Sequence, residues 1–360
     1  MVASLMMMNH DFELLAEIPH FVGLTMKRSY CDVGSFKLTM KRGMPGWNLV
    51  RRGALLYFPD QPEKMMLIEK VTSTDDTITA DGTPLKGLAK RRIAVPAPTD
   101  ETDPYKGFGY DRFTGDAESA YLHYAEANLT DPADVKRKIP RLVLATNQHR
   151  GESYPWQARF DKLHELFKDI GETTGIGWDI RPDFASKTFV IGAWVGEDRS
   201  QGVQRAIISR EIGTADGTTS TDDATTAIST VYAGGSGEDE NRLILSVGNE
   251  IVGLERREGW TDISGASDTD MLKLGAARKQ VPIKQTLTAN ARDSSLCMYE
   301  RDYDVGDLLI ITDDGKQTIT RLVGMEEVHE KGGRKLKASF GDEPVTLSTI
   351  WQESARKSTW

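Results

Sequence analysis

Cysteine is nearly absent from this chain: Cys31 and Cys297 are the only two among 360 residues. One pair makes neither a framework of bridges for a small extracellular fold nor a cysteine-rich zinc site. Histidine is also sparse. His10, His20, His123, His149, His164 and His329 are scattered, and no pair has metal-ligand spacing. No run approaches the roughly 18 consecutive apolar residues of a membrane-crossing helix, so no stable membrane insertion is expected. The opening MVASLMMMNH has no basic n-region and leads into an acidic, helix-compatible stretch at Asp11–Glu17. A secretory signal is not expected from it, and the sequon Asn128-Leu129-Thr130 carries no weight without secretion. The expectation is a soluble protein made in the cytoplasm.

Positive charge is in deficit as well. Lys and Arg number 45 against 54 Asp and Glu, a formal net charge of -9, which disfavours a protein that coats nucleic acid with its whole surface. Residues 21–100 run the other way, with 13 basic against 8 acidic side chains. A hydrophobic share of 39% with 28% charged residues is ordinary for a folded domain, and the length fits two or three folding units. Glycine is what the chain has in plenty. Its 33 residues, many beside β-branched and Thr-rich stretches, point to short strands joined by tight turns.

Along the chain, period-2 runs from Ser35 to Val95 (FKLTM, ALLYF, MMLIEKV, TITADG) are separated by Gly, Pro and Asp, which predicts consecutive antiparallel strands. Residues 96–104, rich in Pro and Asp, read as a linker. The stretch that follows is mixed α/β. A helix is expected over Asp116–Leu129, stopped by Asp131-Pro132, and another over Gln157–Thr173, closed by Gly175. RLVLAT reads as a strand, and GWDIRP with KTFVIGAW as a hairpin. From Ala206 the β pattern returns, interrupted by a helix over Asp268–Lys279. The Thr- and Gly-rich stretch Gly213–Thr226 reads as a loop. There is also an internal echo. Val50–Phe58 (VRRGALLYF) resembles Asp304–Ile311 (DVGDLLII), and each precedes two more strands.

The search for chemistry finds no catalytic, cofactor-binding or metal-binding residue to name. His164-Glu165-Leu166-Phe167-Lys168 begins like the helical zinc-protease motif, but Lys168 stands where the second imidazole must be. Gly234-Gly235-Ser236-Gly237 matches neither a nucleophile elbow nor a phosphate loop. Gly171–Gly177 follows a helix, whereas a dinucleotide fingerprint must follow a strand. The carboxylate pairs Asp75-Asp76, Asp222-Asp223 and Asp313-Asp314 read as solvated turns. Asp268-Thr269-Asp270 reads as a helix cap. The basic pairs Lys27-Arg28, Lys41-Arg42, Arg51-Arg52 and the triplet Lys90-Arg91-Arg92 raise a nucleic-acid surface. Strand alternation, however, should split each pair between two faces, leaving solvated edges.

Three stretches resemble the siphovirus tail-associated hub proteins, a family related to the central hub of contractile baseplates. The first runs from Gly34-Ser35-Phe36-Lys37-Leu38 through VRRGALLYF and MMLIEKV to GLAKRRI. The second runs from Trp178–Gly192 to Gly253–Ser264. The third, and the most specific, is Tyr303-Asp304-Val305-Gly306-Asp307 with TRLVGMEEVHEKGG and a closing Phe-Gly turn. The resemblance implies a mainly β fold with an α/β insert and two β-barrel-like hub domains per chain. The expected layout is an N-terminal segment 1–30, a first β-barrel-like domain 31–97, a mixed α/β domain 98–200, a second β-barrel-like domain 201–352 with a helix near 268–279, and a tail 353–360.

It further implies a structural virion protein with no enzymatic activity. Such a protein would be a homotrimeric hub at the distal end of a phage tail, assembled in the host cytoplasm. It would join the hexameric tail tube to a three-fold tip and let DNA pass. Its expected partners are distal tail or tube proteins and tail-tip or receptor-binding proteins, with no cofactor. The last strand lies close to Trp360, so no lytic extension is expected. Two alternatives stand beside this reading: a glycan-binding module using some of the seven Trp and ten Tyr, and a cell-wall polysaccharide hydrolase with paired carboxylates.

Overall fold

A computed structural model describes residues 4–96, 109–203, 205–263, 269–277, 279–313 and 315–341. Contacts divide the chain into one unit of Met1–Thr218 with Thr288–Phe340 and a second built on Thr219–Leu287.

The first unit begins with seven strands: β1 (Leu5–Met8), β2 (Leu14–Ile18), β3 (Gly23–Ser29), β4 (Ser35–Lys41), β5 (Leu55–Phe58), β6 (Gln61–Ser73) and β7 (Thr77–Pro84). In β4 the alternation is direct. Phe36, Leu38 and Met40 are buried while Ser35, Lys37 and Lys41 are exposed, as a half-buried strand requires. The inward residues of these strands, including Leu24, Met26, Leu56, Met66 and Ile68, share one apolar core. Gly82 of β7 has to be glycine, because a Cβ there would meet the Phe36 ring at 2.6 Å.

The α/β stretch follows with β8 (Asp111–Asp116), α1 (Ala117–Ala125), β9 (Leu142–Leu144), β10 (Ser153–Ala158), α2 (Leu163–Thr174), β11 (Gly177–Asp183) and β12 (Thr188–Trp194). The Asp116 carboxylate caps α1 by accepting from the Ser119 amide at 2.8 Å. Leu163, Leu166, Phe167 and Ile170 form the buried stripe of α2. Gly175 closes that helix at φ 69, its amide donating to the Gly171 carbonyl at 2.8 Å. The helix starts at Leu163 rather than Gln157, because Gln157 and Ala158 pair with β8. β11 and β12 form the expected hairpin, and β9 joins β12 in parallel.

Next come β13 (Ile207–Ser209) and β14 (Ala215–Asp223). The second unit has its own sheet of β15 (Thr230–Gly234), β16 (Ile244–Val247) and β17 (Glu258–Asp262), in the order β16-β15-β17, with α3 (Thr269–Ala277) packed on it. The chain then completes the first unit through β18 (Lys284–Ala291), β19 (Leu308–Asp313), β20 (Lys316–Glu330) and β21 (Gly333–Phe340).

Thirteen strands share one sheet along the path β14-β18-β21-β20-β3-β4-β7-β6-β5-β1-β2, with β19 paired to β20 and β13 to β19. Within it the internal echo becomes a topology. β5-β6-β7 and β19-β20-β21 are both three-strand antiparallel meanders. In each, the last strand pairs with the second of two earlier strands: β7 with β4 of β3-β4, and β21 with β18 of β14-β18. The architecture is mostly β with a few helices, as expected.

Several local expectations change. Asp11–Glu17 is not helical: its second half lies in β2, which pairs with β1 and fills a register there. Gly213–Thr226 is not a loop: most of it is β14, an outer strand of the large sheet. The contacts divide the chain at 218/219 and 287/288. Pairing of β20 with β3 ties residues 23–29 to the C-terminal meander. One core runs from Leu55 and Leu67 through Tyr121 and Phe167 to Trp178 and Phe189, joining the first strands to the α/β stretch. Residues 97–108, which hold most of the expected linker, lie outside the described residues, as does the tail 353–360.

Candidate functional site: a buried charge network

Strand alternation in β6 puts Lys64 on the inward face with Met66 and Ile68, and in β20 it puts Glu327 inward with Met325. These two strands are not neighbours in the sheet, yet their charged side chains meet. The Lys64 side chain is 2% exposed, Glu327 is fully buried, and Lys64 Nζ lies 2.6 Å from Glu327 Oε1. Lys64 also contacts Glu300. From β21, Arg334 reaches Glu327 and Glu300 at 3.0 Å each, and Gln61 donates to Glu300 at 2.7 Å. Arg28 of β3 donates to the Tyr299 hydroxyl at 2.9 Å and to Asp304 at 2.8 Å. Arg28, Lys64 and Arg334 thus balance Glu300, Asp304 and Glu327. Pairing of this kind is the condition for keeping ions inside a fold.

The electrostatics show what the cluster does. Burial alone would raise the Glu327 carboxyl, but His329 at 3.5 Å and the charges of Lys64 and Arg334 outweigh it and bring the pKa to about 2. Burial lowers Lys64 to about 8 against the pull of Glu327. A hydrolytic carboxylate pair needs one acid with a raised pKa. Glu327 is shifted the opposite way, so it does not serve as that acid, and its ion pairs join β20 to β6 and β21.

A pH dependence follows. Because the Glu327 pKa is depressed in the folded state, its contribution is present above the ordinary value of 4.5 and is lost as pH falls toward about 2. The contribution is on the order of 3 kcal/mol. Urea midpoints should therefore fall steeply between these pH values, and Glu327→Gln should flatten that slope. A slope identical in the variant would show that the acid sensitivity arises elsewhere.

The Asp304-Val305-Gly306-Asp307 motif closes on the same region. Asp307 accepts from the Glu197 amide at 2.7 Å and the Asp304 amide at 2.9 Å, locking the start of β19. Gly306 has φ 100, and a Cβ on it would lie 2.5 Å from the Tyr30 ring. The motif read as most specific is thus a structural corner feeding Asp304 to Arg28.

Other singled-out residues stay apart. His164, Glu165 and Lys168 belong to α2, where Lys162 pairs with Glu165 at 2.9 Å and Lys168 with Glu172 at 3.4 Å. Asp75-Asp76 is an exposed turn, and Asp314 lies outside the described residues. Asn128 of the sequon is buried, its amide donating to the Tyr124 carbonyl at 3.0 Å. Lys27-Arg28 is split between faces as alternation requires, with Lys27 outside on Glu326 at 2.9 Å. Lys41, Arg42, Arg51 and Arg52 are all exposed: Lys41 by alternation at the end of β4, the other three because they lie in the connection between β4 and β5. Arg42 stacks on Trp47, 5.4 Å from the ring centroid.

One trio missed in the sequence imitates a serine nucleophile site: Ser119, His149 and Asp116. His149 Nδ1 lies 3.2 Å from Ser119 Oγ and 3.3 Å from Asp116. A triad needs the two ring nitrogens to serve different partners. Here one nitrogen faces both, and Asp116 is occupied as the cap of α1. Among the described residues no group of three or more His, Cys, Asp or Glu is placed to hold a metal ion, and no helix is long and apolar enough to cross a membrane. The sequence signal for the charge network was present but unused: Lys64 and Glu327 each occupy an inward register position beside methionine.

No curated protein matches the chain. Among solved structures, the 43 kDa tail protein of prophage MuSo2 from Shewanella oneidensis is similar with a TM-score of 0.54 at 10% identity, over 95% of this chain and 99% of that one. The tail protein from Neisseria meningitidis MC58 is similar with a TM-score of 0.54 at 14% identity, over 97% of this chain and 99% of that one. At such identities the likeness establishes a shared fold. The family of siphovirus ReqiPepy6 Gp37-like proteins matches over residues 4–342. The chain therefore belongs to this family, and it shares the fold of those two tail proteins.

Proposed function

We propose that the chain is a non-enzymatic, homotrimeric hub at the distal end of a phage tail, joining a hexameric tube to a three-fold tip and leaving a passage for DNA. The observation that carries this reading is the repeated strand order: two meanders, each paired through its last strand to an earlier two-strand set, within one chain. Two similar elements per chain and three chains supply six similar edges to a six-fold neighbour. The partners follow from that position: distal tail or tube proteins on one side, and tail-tip or receptor-binding proteins on the other. The buried network supports the role mechanically, since it ties the two meanders by ion pairs that a passing load must break together.

In this arrangement the wall of the passage has to avoid a continuous basic stripe, because tight phosphate binding would hold the genome back. Lys41, Arg42, Arg51 and Arg52 therefore face away from it. Native mass measurement and a projection of the particle along its axis test the reading. A three-fold ring with these four residues outside the channel is expected. A monomer or dimer within assembled particles, or these cations lining the channel, would sink it.

A further inference from the structure

Among the described residues, the sheet of the second unit has one face packed on α3 and an opposite face that α3 does not cover. In its three strands, Val231, Ala233 and Val247 point toward α3 and are buried. The alternate residues point the other way. By register, Tyr232 stands beside Ser246 and Trp260, and Gly234 beside Ile244 and Asp262. Trp260 is 53% exposed. Its indole lies against Gly234, where a Cβ would meet the ring at 2.7 Å, so the missing side chain makes room for the ring. Arg242 sits over the same indole, 5.6 Å from its centroid, and is held by Asp262 at 2.6 Å. On the other side Arg256 bonds Glu258 at 2.7 Å and the Tyr232 hydroxyl at 3.0 Å.

We propose that this face is a saccharide-binding platform that stacks one pyranose ring of a neutral glycan on Trp260, with Arg242, Asp262 and Glu258 offering hydrogen bonds to its hydroxyls. Three features fix the class of partner. The half-exposed ring matches the apolar C–H face of a sugar, the kind of contact an amphipathic aromatic makes best. The two cations are each neutralised by a fixed carboxylate, so the face carries no net charge to attract an anionic polymer. The large apolar side chains on it are Trp260, Tyr232 and Ile244. Three such side chains make a small apolar centre beside the roughly 20–30 residues a side of a stable protein interface. A single sugar ring needs no more than one aromatic and its polar rim. The platform stands apart from the hub reading, because these strands form it whatever the assembly.

Chitohexaose and maltohexaose as neutral probes, and polygalacturonate as an anionic one, are to be titrated by calorimetry against the full chain. Binding of at least one neutral probe is expected, at least tenfold weaker in Trp260→Ala, partly weakened in Trp260→Phe, and unchanged in Trp47→Ala. Gly234→Ala, which lifts the indole while keeping it, should weaken binding as well. Thermal melting of each variant separates loss of the platform from loss of the fold. The proposal is overturned if neither neutral probe binds, if Trp260→Ala binds like the wild type, if polygalacturonate is preferred, or if Trp260→Ala changes the oligomeric state, which would mean that a second copy covers the face.

Discussion

Lys64→Met is expected to lower the free energy of unfolding by about 3–5 kcal/mol, the usual cost of stranding one member of a buried ion cluster. The cost does not arise from lost volume, since methionine nearly fills the space of the lysine stem. It arises because two carboxylates, Glu327 and Glu300, would then divide the charge of Arg334 between them, and Glu327 is fully buried. The double variant Lys64→Met/Glu327→Met removes one charge of each sign and leaves Glu300 with Arg334. It should cost clearly less than the two single changes added together, with a coupling of about 1–3 kcal/mol. Urea unfolding of the four proteins measures this. Additive effects would mean that Lys64 and Glu327 contribute independently, and the picture of a clamp between the meanders would fail.

Gly306→Val should cost about 4 kcal/mol, from two sources. A branched residue at φ 100 is strained, and its Cβ would be pressed into the Tyr30 ring. Tyr30 has little room to yield: its hydroxyl donates to the Gly175 carbonyl at 3.3 Å and accepts from the Gly196 amide at 3.3 Å. Gly196 itself packs against the backbone of Gly306. Gly315 is the matched control. Its φ of 74 is also positive, but nothing lies near its missing side chain. Gly315→Ala should therefore cost only about 1 kcal/mol, the backbone part alone. Chemical denaturation separates the two positions, and equal losses at both would show that the contact with Tyr30 is unimportant.

Much of the local structure was legible because alternation and turn residues are strong local signals. Phe36, Leu38 and Met40 announce β4, and Leu163, Leu166, Phe167 and Ile170 announce α2, with Gly175 as its stop. The misreadings have local causes as well. Asp11–Glu17 has residues that suit a helix in isolation, but Leu14–Ile18 is captured by pairing with β1. Gly213–Thr226 has no apolar alternation because β14 lies at the outer end of the sheet path, where neither face imposes one. Arg42, Arg51 and Arg52 are exposed because they fall in the connection between β4 and β5, where alternation no longer divides neighbours between faces, and Lys41 is the exposed last residue of β4.

The shortage of cysteine and histidine, the strand pattern and the Asp304–Asp307 motif were sufficient to identify a mostly β chain resembling tail proteins and to find no catalytic signature. All of these depend on residues close together in sequence. Pairing of β20 with β3, the meeting of Lys64 with Glu327 and the contact of Trp260 with Gly234 were decided by the tertiary structure. Each joins residues far apart along the chain through register and burial, and a one-residue shift in register would turn every one of those side chains to the opposite face.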